Sequence, residues 1–243
     1  MATRLPPTSD EDPFAKFLAE QKIERGRPLR DQAYALLREA IVSGRLQPLA
    51  PVNEVDIAMR LGTSRTPVRE AVKQISDEGL VEVFAQNGTF VAGISRRQVE
   101  QAYLIRIALE RESVRRAARS ITEEQIEGLE DCVAAQELAI SRSRFDTAIR
   151  QDDAFHRGIA EVNRLDMIWK VIDISKAQMD RCRMLSLPSP GAGLQTIDQH
   201  RAIIAALRRH DAEAADAAMR DHLETSMSNT FAYLDARDAE VDP

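Results

Sequence analysis

The segment GTSRTPVREAVK at positions 62–73 constrains the fold more than any other part of the chain. Its apolar residues, continued by Ile75, have the spacing of a helix packed on a small core: Val68, Ala71, Val72 and Ile75. Its basic residues recur every four positions and share the opposite face: Arg65, Arg69 and Lys73. Pro67 suits the first helical turn, which Ser64 or Thr66 can cap. A helix with an exposed N-terminus and a cationic face is suited to phosphates and base edges in a DNA major groove.

The flanking residues predict the rest of a winged helix-turn-helix. Amphipathic helices over 31–43 and 54–61 precede the basic helix, and Gly62 separates the last two at helix-turn-helix spacing. After Gly79, two β-prone runs at 80–84 and 89–94 flank Asn87-Gly88, a strong hairpin signal. We therefore predict three helices followed by a hairpin, with Gly88 shaping the wing.

Charge is distributed unevenly along the 243 residues. Residues 27–97 hold ten Lys/Arg against eight Asp/Glu, whereas residues 98–243 hold 19 against 26. The net charge of −6 therefore comes from the second part, which favours DNA contact by the first part alone. We divide the chain into an N-terminal extension (1–28), a winged helix-turn-helix domain (29–94) and a second domain (95–243).

Helical periodicity dominates from residue 95 onward. It predicts six helices, with a capping box at Thr122 and Gln125 and a loop over 187–193; the helices lie near 95–119, 122–141, 144–163, 165–185, 193–209 and 211–236. Short connections between six helices indicate an antiparallel bundle. The predicted fold class is therefore mainly α, a winged helix-turn-helix followed by an antiparallel all-α helical bundle.

The sequence carries neither a membrane-span signal nor a secretion signal. No apolar run approaches the length of a membrane span, and the N-terminal stretch lacks the apolar centre of a signal peptide. Cys132 and Cys182 both lie in helical patterns, which indicates thiols rather than a disulfide. We expect a cytoplasmic protein that does not associate with membranes.

Three of the four histidines lie on or beside apolar helix faces. Asp152 and His156 are one turn apart on one predicted helix, while His200 and His222 belong to two others. Buried imidazoles need partners, and one shared metal ion would satisfy all three. Imidazole and carboxylate ligands suit zinc, nickel, iron or manganese. The alternative is three ordinary core histidines and a simple Asp152–His156 hydrogen bond, and spacing alone leaves both open.

Several motifs in the first part resemble a known family. The segments LGTSRTPVREAV (61–72), EGLV (78–81) and NGTFV (87–91) resemble the DNA-binding domain of GntR transcription regulators over roughly residues 29–94. Together with the helix pattern, this resemblance implies five DNA-binding residues: Arg65, Thr66, Arg69, Lys73 and Gly88. Some relatives carry an arginine at the place of Val55, so this chain departs from them and loses a phosphate contact there.

The second part resembles the all-helical effector domain of the FadR branch over roughly residues 98–236. The motifs are RIALE (106–110), DDAFH (152–156), HRAII (200–204) and MRDHL (219–223). The resemblance implies a divalent metal, zinc before nickel, manganese or iron, with four ligands: Asp152, His156, His200 and His222. His210 matches no ligand position and is expected to end a helix at the surface.

The same resemblance implies a small carboxylate effector that binds at the metal's remaining coordination positions. Arg106 is the candidate residue for binding this carboxylate. The alternative for Arg106 is an ion pair with Glu110, one turn along the helix, at the bundle surface.

These observations predict a ligand-responsive transcriptional regulator, a repressor, that binds an inverted-repeat operator as a homodimer. Two other classes remain. One is a metal-dependent enzyme, for which Asp153 is the candidate base and is expected to point away from the site. The other is an architectural DNA-binding protein whose bundle only dimerises. A function as an enzyme would leave the attached DNA-binding domain unexplained, so we predict no enzymatic activity.

Overall fold

The computed structural model describes residues 12–24, 26–187 and 192–241. The chain divides into two compact units between Gly93 and Ile94. Among the described residues, no helix is both long enough and apolar enough to span a membrane. The described elements of the first unit are α1 (Pro13–Glu20), α2 (Leu29–Val42), α3 (Glu54–Arg60), α4 (Arg65–Asp77), β1 (Val81–Phe84) and β2 (Gly88–Val91).

The helix-turn-helix of the first unit forms where the sequence pattern predicts it. Asn53 caps α3 by accepting hydrogen bonds from the backbone N–H groups of Val55 and Asp56. Gly62 adopts a φ of 62°, a left-handed conformation that lets the chain turn from α3 into α4. The core of this unit contains buried side chains of α2, α3 and α4, together with Leu80 after α4: Leu37, Ile41, Ile57, Val68, Val72, Ile75 and Leu80.

The wing is an antiparallel hairpin whose register runs from Val81 opposite Val91 to Phe84 opposite Gly88. The second strand ends at Val91, earlier than the predicted run to residue 94. Backbone hydrogen bonds between residues 49–52 and this strand broaden the wing, including one from Val52 N–H to the carbonyl of Thr89 at 2.8 Å. The prolines in that connection gave no indication of this pairing.

Helix α1 lies in the segment predicted as an N-terminal extension. Asp12 caps it by accepting from the backbone N–H of Phe14. Phe14, Phe17 and Leu18 are buried, and the helix packs against α2 and α3. The apolar residues recur at i, i+3 and i+4, so this short stretch adds a helix to the core of the first unit.

The second unit is helical throughout its described residues. Its elements are α5 (Arg96–Ala117), α6 (Glu123–Ser141), α7 (Phe145–Glu161), α8 (Asp166–Ser175), α9 (Ala177–Ser186), α10 (Ala192–Arg208) and α11 (Ala212–Val241). The capping box of Thr122 and Gln125 is present as predicted. Most of the predicted loop over 187–193 lies outside the described residues. The predicted fold class, mainly α with a winged helix-turn-helix and a helical bundle, is confirmed.

The prediction of one helix over 165–185 is wrong, because the chain breaks between α8 and α9. Ser175 bonds back through its hydroxyl to the carbonyl of Ile172, a bond that competes with helix continuation. Lys176 is buried, with its ammonium 2.8 Å from Asp153 and in contact with Asp180. Buried ion pairing at this position depends on side chains from α7, so helical periodicity could not predict the break.

An apolar core joins α5, α6, α7, α10 and α11. Its members include Val114, Ile126, Leu129, Phe155, Ile159, Ile203, Leu207, Met219 and Leu223. Full burial of one such side chain contributes roughly 1.5–3 kcal/mol, so this core fixes the three helices that carry the histidines.

Candidate functional site

The basic face of α4 is exposed in the first unit. The side chains of Arg65 and Arg69 are 56% and 66% exposed, and Thr66 and Lys73 are exposed beside them. The opposite face of α4 is buried. Gly88 is exposed at the end of the hairpin with a φ of 108°, which only glycine adopts readily. The five residues expected to meet DNA are therefore all accessible.

Glu54 on α3 contacts this basic face, and sequence reasoning missed it. Its Oε2 atom lies 3.5 Å from Nη2 of Arg65 and 3.4 Å from Nε of Arg69. Exposed ion pairs add less than about 1 kcal/mol, so these two contacts contribute little to stability. No spacing rule joins position 54 to positions 65 and 69, because the contact crosses from α3 to α4.

In the second unit, α7, α10 and α11 bring Asp152, His156, His200 and His222 together. All four residues are buried, and one ligand atom from each lies within 4.8 Å of the others. Nε2 of His156 lies 3.3 Å from Nε2 of His222 and 3.7 Å from Oδ2 of Asp152. Nε2 of His200 lies 3.6 Å from Oδ1 of Asp152.

The electrostatic state of this cluster suits a cation. Burial lowers the pKa of His200 to about 3 and the pKa of His222 well below its ordinary value, so both rings are neutral near pH 7. Burial alone would raise the pKa of Asp152, but Arg183 and the neighbouring histidines lower it, so the group is a carboxylate. Neutral imidazole and ionised carboxylate are the forms that bind metals.

Three buried atoms of the cluster lack hydrogen-bond partners. One is Nδ1 of His156, which faces Glu110; the two that face other residues of the cluster are Oδ2 of Asp152 and Nε2 of His200. The contact of Asp152 Oδ2 with Arg183, at 2.7 Å, is an ion pair without hydrogen-bond geometry. A buried polar atom left without a partner is unfavourable, and a cation among these atoms would satisfy both. The residues present therefore fit a divalent metal ion.

Comparison with known proteins identifies the class of this molecule. Residues 29–91 match the model of the bacterial regulatory proteins of the gntR family, and residues 101–225 match the FCD domain. The chain belongs to the GntR family. Its relatives include the transcriptional repressor RspR of Escherichia coli K12, 34% identical over 84% of this chain and 90% of the relative. The probable D-xylose utilization operon repressor of Paenarthrobacter nicotinovorans is 32% identical over 83% of this chain and 88% of the relative.

Solved structures support the fold of this GntR protein. Escherichia coli McbR/YncC matches with a TM-score of 0.74 and 20% identity, over 84% of this chain and 97% of that one. A GntR regulator from Rhodococcus sp. RHA1 matches with a TM-score of 0.71 and 21% identity, over the same shares. The families and relatives are DNA-binding transcriptional regulators, so the prediction that the chain is not an enzyme is confirmed.

A cavity of about 50 Å³ adjoins the histidine cluster of this GntR regulator. That volume has room for a few water molecules and so for a small ligand. Charged and polar groups line much of it, including Arg106, Asp152, Arg183 and His222. The cavity thus places two guanidinium groups beside the cluster.

Arg106 lies in this cavity and also forms the predicted alternative ion pair, with Nε 2.5 Å from Oε1 of Glu110. The expectation of that pair at the bundle surface is wrong, because both residues are buried. Burial raises the pKa of Glu110, but Arg106 and His156 more than offset this effect and lower it to about 2. The pair therefore stays ionised within the bundle.

Arg183 was missed by the sequence analysis. It contacts Asp152 and lies 3.4 Å from Asp180, and it lines the cavity with Arg106. Burial would lower its pKa, but the surrounding aspartates raise it, so the guanidinium is charged. Arg183 lies on the second half of the helix that the sequence predicted as continuous, where periodicity could not reveal its partner.

Asp153 and His210 lie where the sequence predicts them, outside the histidine cluster. Asp153 binds Lys176 at 2.8 Å rather than joining the cluster, which removes the candidate base of the enzyme alternative. His210 follows α10 with a φ of 52° and is exposed, with Nδ1 2.9 Å from the carbonyl of Ala118. It ends the helix at the surface, as predicted.

Proposed function

We propose that this GntR regulator is a metal-dependent repressor of the FadR branch whose operator affinity responds to a small carboxylate. The observation that carries the proposal is the buried convergence of one carboxylate and three imidazoles within 4.8 Å. The unpartnered Oδ2 of Asp152 and Nε2 of His200 support a cation there rather than a purely structural polar core. The metal ligands are then Asp152, His156, His200 and His222, and zinc is the first candidate before nickel, manganese or iron.

A bound divalent cation would supply positive charge and open coordination positions for a carboxylate oxygen. The adjoining cavity supports this reading, since Arg106 and Arg183 line it together with Asp152 and His222. Guanidinium groups bind carboxylates through paired hydrogen bonds. The small volume favours an acid of few atoms over a fatty acyl chain.

The first unit supplies operator recognition through Arg65, Thr66, Arg69 and Lys73 on α4, with Gly88 in the wing. One winged unit reads only a short half-site, so we propose a cytoplasmic homodimer on an inverted-repeat operator. The names of RspR and of the D-xylose operon protein describe repressors, which supports repression as the mode of action.

Metal analysis and operator titration test this proposal. Native mass spectrometry of the full chain should find one divalent ion per protomer, in a dimer. A panel of small carboxylates should contain an acid that shifts operator affinity by roughly 5–150-fold in wild type. His222→Ala should bind operator but lose the response, whereas His210→Ala, a surface histidine on no ligand position, should keep it. Equal responses of wild type and His222→Ala would show that the metal carries no signal.

A further inference from the structure

Each clustered histidine presents its Nδ1 atom to an oxygen on a different helix. Nδ1 of His156 lies 2.5 Å from Oε2 of Glu110 on α5. Nδ1 of His200 lies 3.0 Å from Oε1 of Gln136 on α6, and Nδ1 of His222 lies 3.2 Å from Oε1 of Gln199 on α10. These three residues surround the cluster without belonging to it, and we call them the outer shell.

Gln136 decides the proton position on His200. The Nε2 amide of Gln136 donates to Oδ1 of Asp152 at 3.1 Å, and an ionised carboxylate can only accept. The amide oxygen must therefore face His200, and Nδ1 of His200 must carry the proton. A neutral imidazole has one N–H, so Nε2 of His200 keeps its lone pair toward the cluster.

The same reasoning applies to the other two rings. The amide nitrogen of Gln199 donates to Oδ2 of Asp221 at 3.3 Å, which leaves its oxygen for Nδ1 of His222. Glu110 is a carboxylate, and its Oε2 lies 2.5 Å from Nδ1 of His156 as an ion-pair contact without hydrogen-bond geometry. Two lone pairs would repel at that distance, so this nitrogen carries the proton. Both rings then present bare Nε2 atoms to the cluster.

We propose that Glu110, Gln136 and Gln199 are positioning residues that hold all three imidazoles as Nδ1–H tautomers, so that each binds the metal through Nε2. This inference rests on the proposed metal site. Nε2 of His156 lies 3.3 Å from Nε2 of His222, a distance at which one protonated Nε2 could donate to the other. With both protons on Nδ1, the two Nε2 lone pairs face each other instead, and a cation between them is needed to offset their repulsion.

The outer shell is not uniform, because one of its three members is charged. Glu110 contacts His156 through Oε2 and Arg106 through Oε1, at 2.5 Å each. A carboxylate partner raises the basicity of a ligating imidazole more than an amide does. Glu110 therefore links one metal ligand to the arginine of the cavity, and its loss should affect the metal most.

Nitrogen-15 NMR of the histidine rings tests the tautomers directly. In the zinc-loaded full chain, we expect His156, His200 and His222 to show a protonated Nδ1 and a zinc-bound Nε2, while His210 serves as an unligated reference. A single zinc-bound Nδ1 among the three would overturn the assignment. In the metal-free chain, the same three Nδ1 atoms should carry protons. The tautomers can therefore be tested even if wild type binds no zinc. Failure to bind zinc would contradict the proposed function, whereas the wrong tautomers would contradict only this inference.

Zinc affinity tests the positioning role. In competition with a chromophoric chelator, Glu110→Gln and Gln136→Met should each weaken zinc binding by about 10–100-fold. Glu112→Gln is the matched control, because Glu112 is an exposed residue of the same helix, paired with Arg116. Wild-type zinc affinity in both folded outer-shell variants would refute the role. If Glu110→Gln does not fold, Gln136→Met and Gln199→Met decide the question by the same measurement.

Discussion

Lowering the pH from 7 to 5 should destabilise the metal-free protein, and the buried ring of His200 is one cause. Burial lowers its pKa to about 3 in the folded state, compared with an ordinary value of 6.5. Between these two values the unfolded chain takes up a proton that the folded chain does not. The contribution of the neutral His200 ring to the free energy of unfolding is therefore complete above pH 6.5, and it is lost as the pH falls from 6.5 toward 3.

The magnitude follows from the two pKa values. At pH 5 the unfolded chain gains about 2 kcal/mol more from protonation of this residue than at pH 7, while the folded chain gains almost nothing. The lowered pKa of His222 acts in the same direction. The pKa of Asp153, which burial raises, acts in the opposite direction. A variant that removes only the titrating ring is needed to isolate His200.

His200→Asn is that variant, since its amide can still donate to Gln136. Urea unfolding of both chelator-treated proteins, followed by circular dichroism at pH 7 and pH 5, gives the four free energies. The wild type should lose about 2 kcal/mol more than His200→Asn on acidification. Equal losses in the two proteins would show that the folded state accommodates a protonated His200, and the account of the buried neutral ring would be refuted.

Three further predictions concern DNA binding, the core and the metal. Arg69→Ala should weaken operator binding by about 1–3 kcal/mol in a gel-shift titration with an unchanged helical spectrum, whereas Arg116→Ala on the second unit should not; equal affinities would refute the role of α4. Phe155→Ala should lower the free energy of unfolding by about 3–5 kcal/mol, because Phe155 is fully buried and its ring centroid lies 4.1 Å from that of His200. A loss below about 1 kcal/mol would contradict this expectation. Zinc at 100 times its Kd should raise Tm by about 5–10 °C, reversibly with chelator, and an unchanged Tm would count against the metal site.

Much of this molecule follows from spacing along single helices. The face shared by Arg65, Arg69 and Lys73 and the one-turn separation of Asp152 and His156 are consequences of 3.6 residues per turn. The capping box and the hairpin at Asn87-Gly88 are equally local. Such features depend on covalent geometry and hydrogen bonds within a few residues, which is why the fold class could be predicted from the sequence.

Contacts between helices could not be predicted from the helical periodicity of the sequence. Helical spacing predicted that His200 and His222 lie on apolar helix faces, but only the family resemblance implied that they belong to one metal site. No sequence pattern indicated the contact of Glu54 with two arginines, the contact of Arg183 with Asp152 or the helix break at Lys176. Each depends on a partner from another helix.

The sequence by itself determined which face each helix presents, because side-chain direction repeats with the backbone. Only the tertiary structure decided how the faces are turned toward one another, because the apolar core shared by five helices sets their rotation and depth. The outer shell shows the difference: Glu110, Gln136 and Gln199 come from three helices, and each contacts a histidine that lies on another helix.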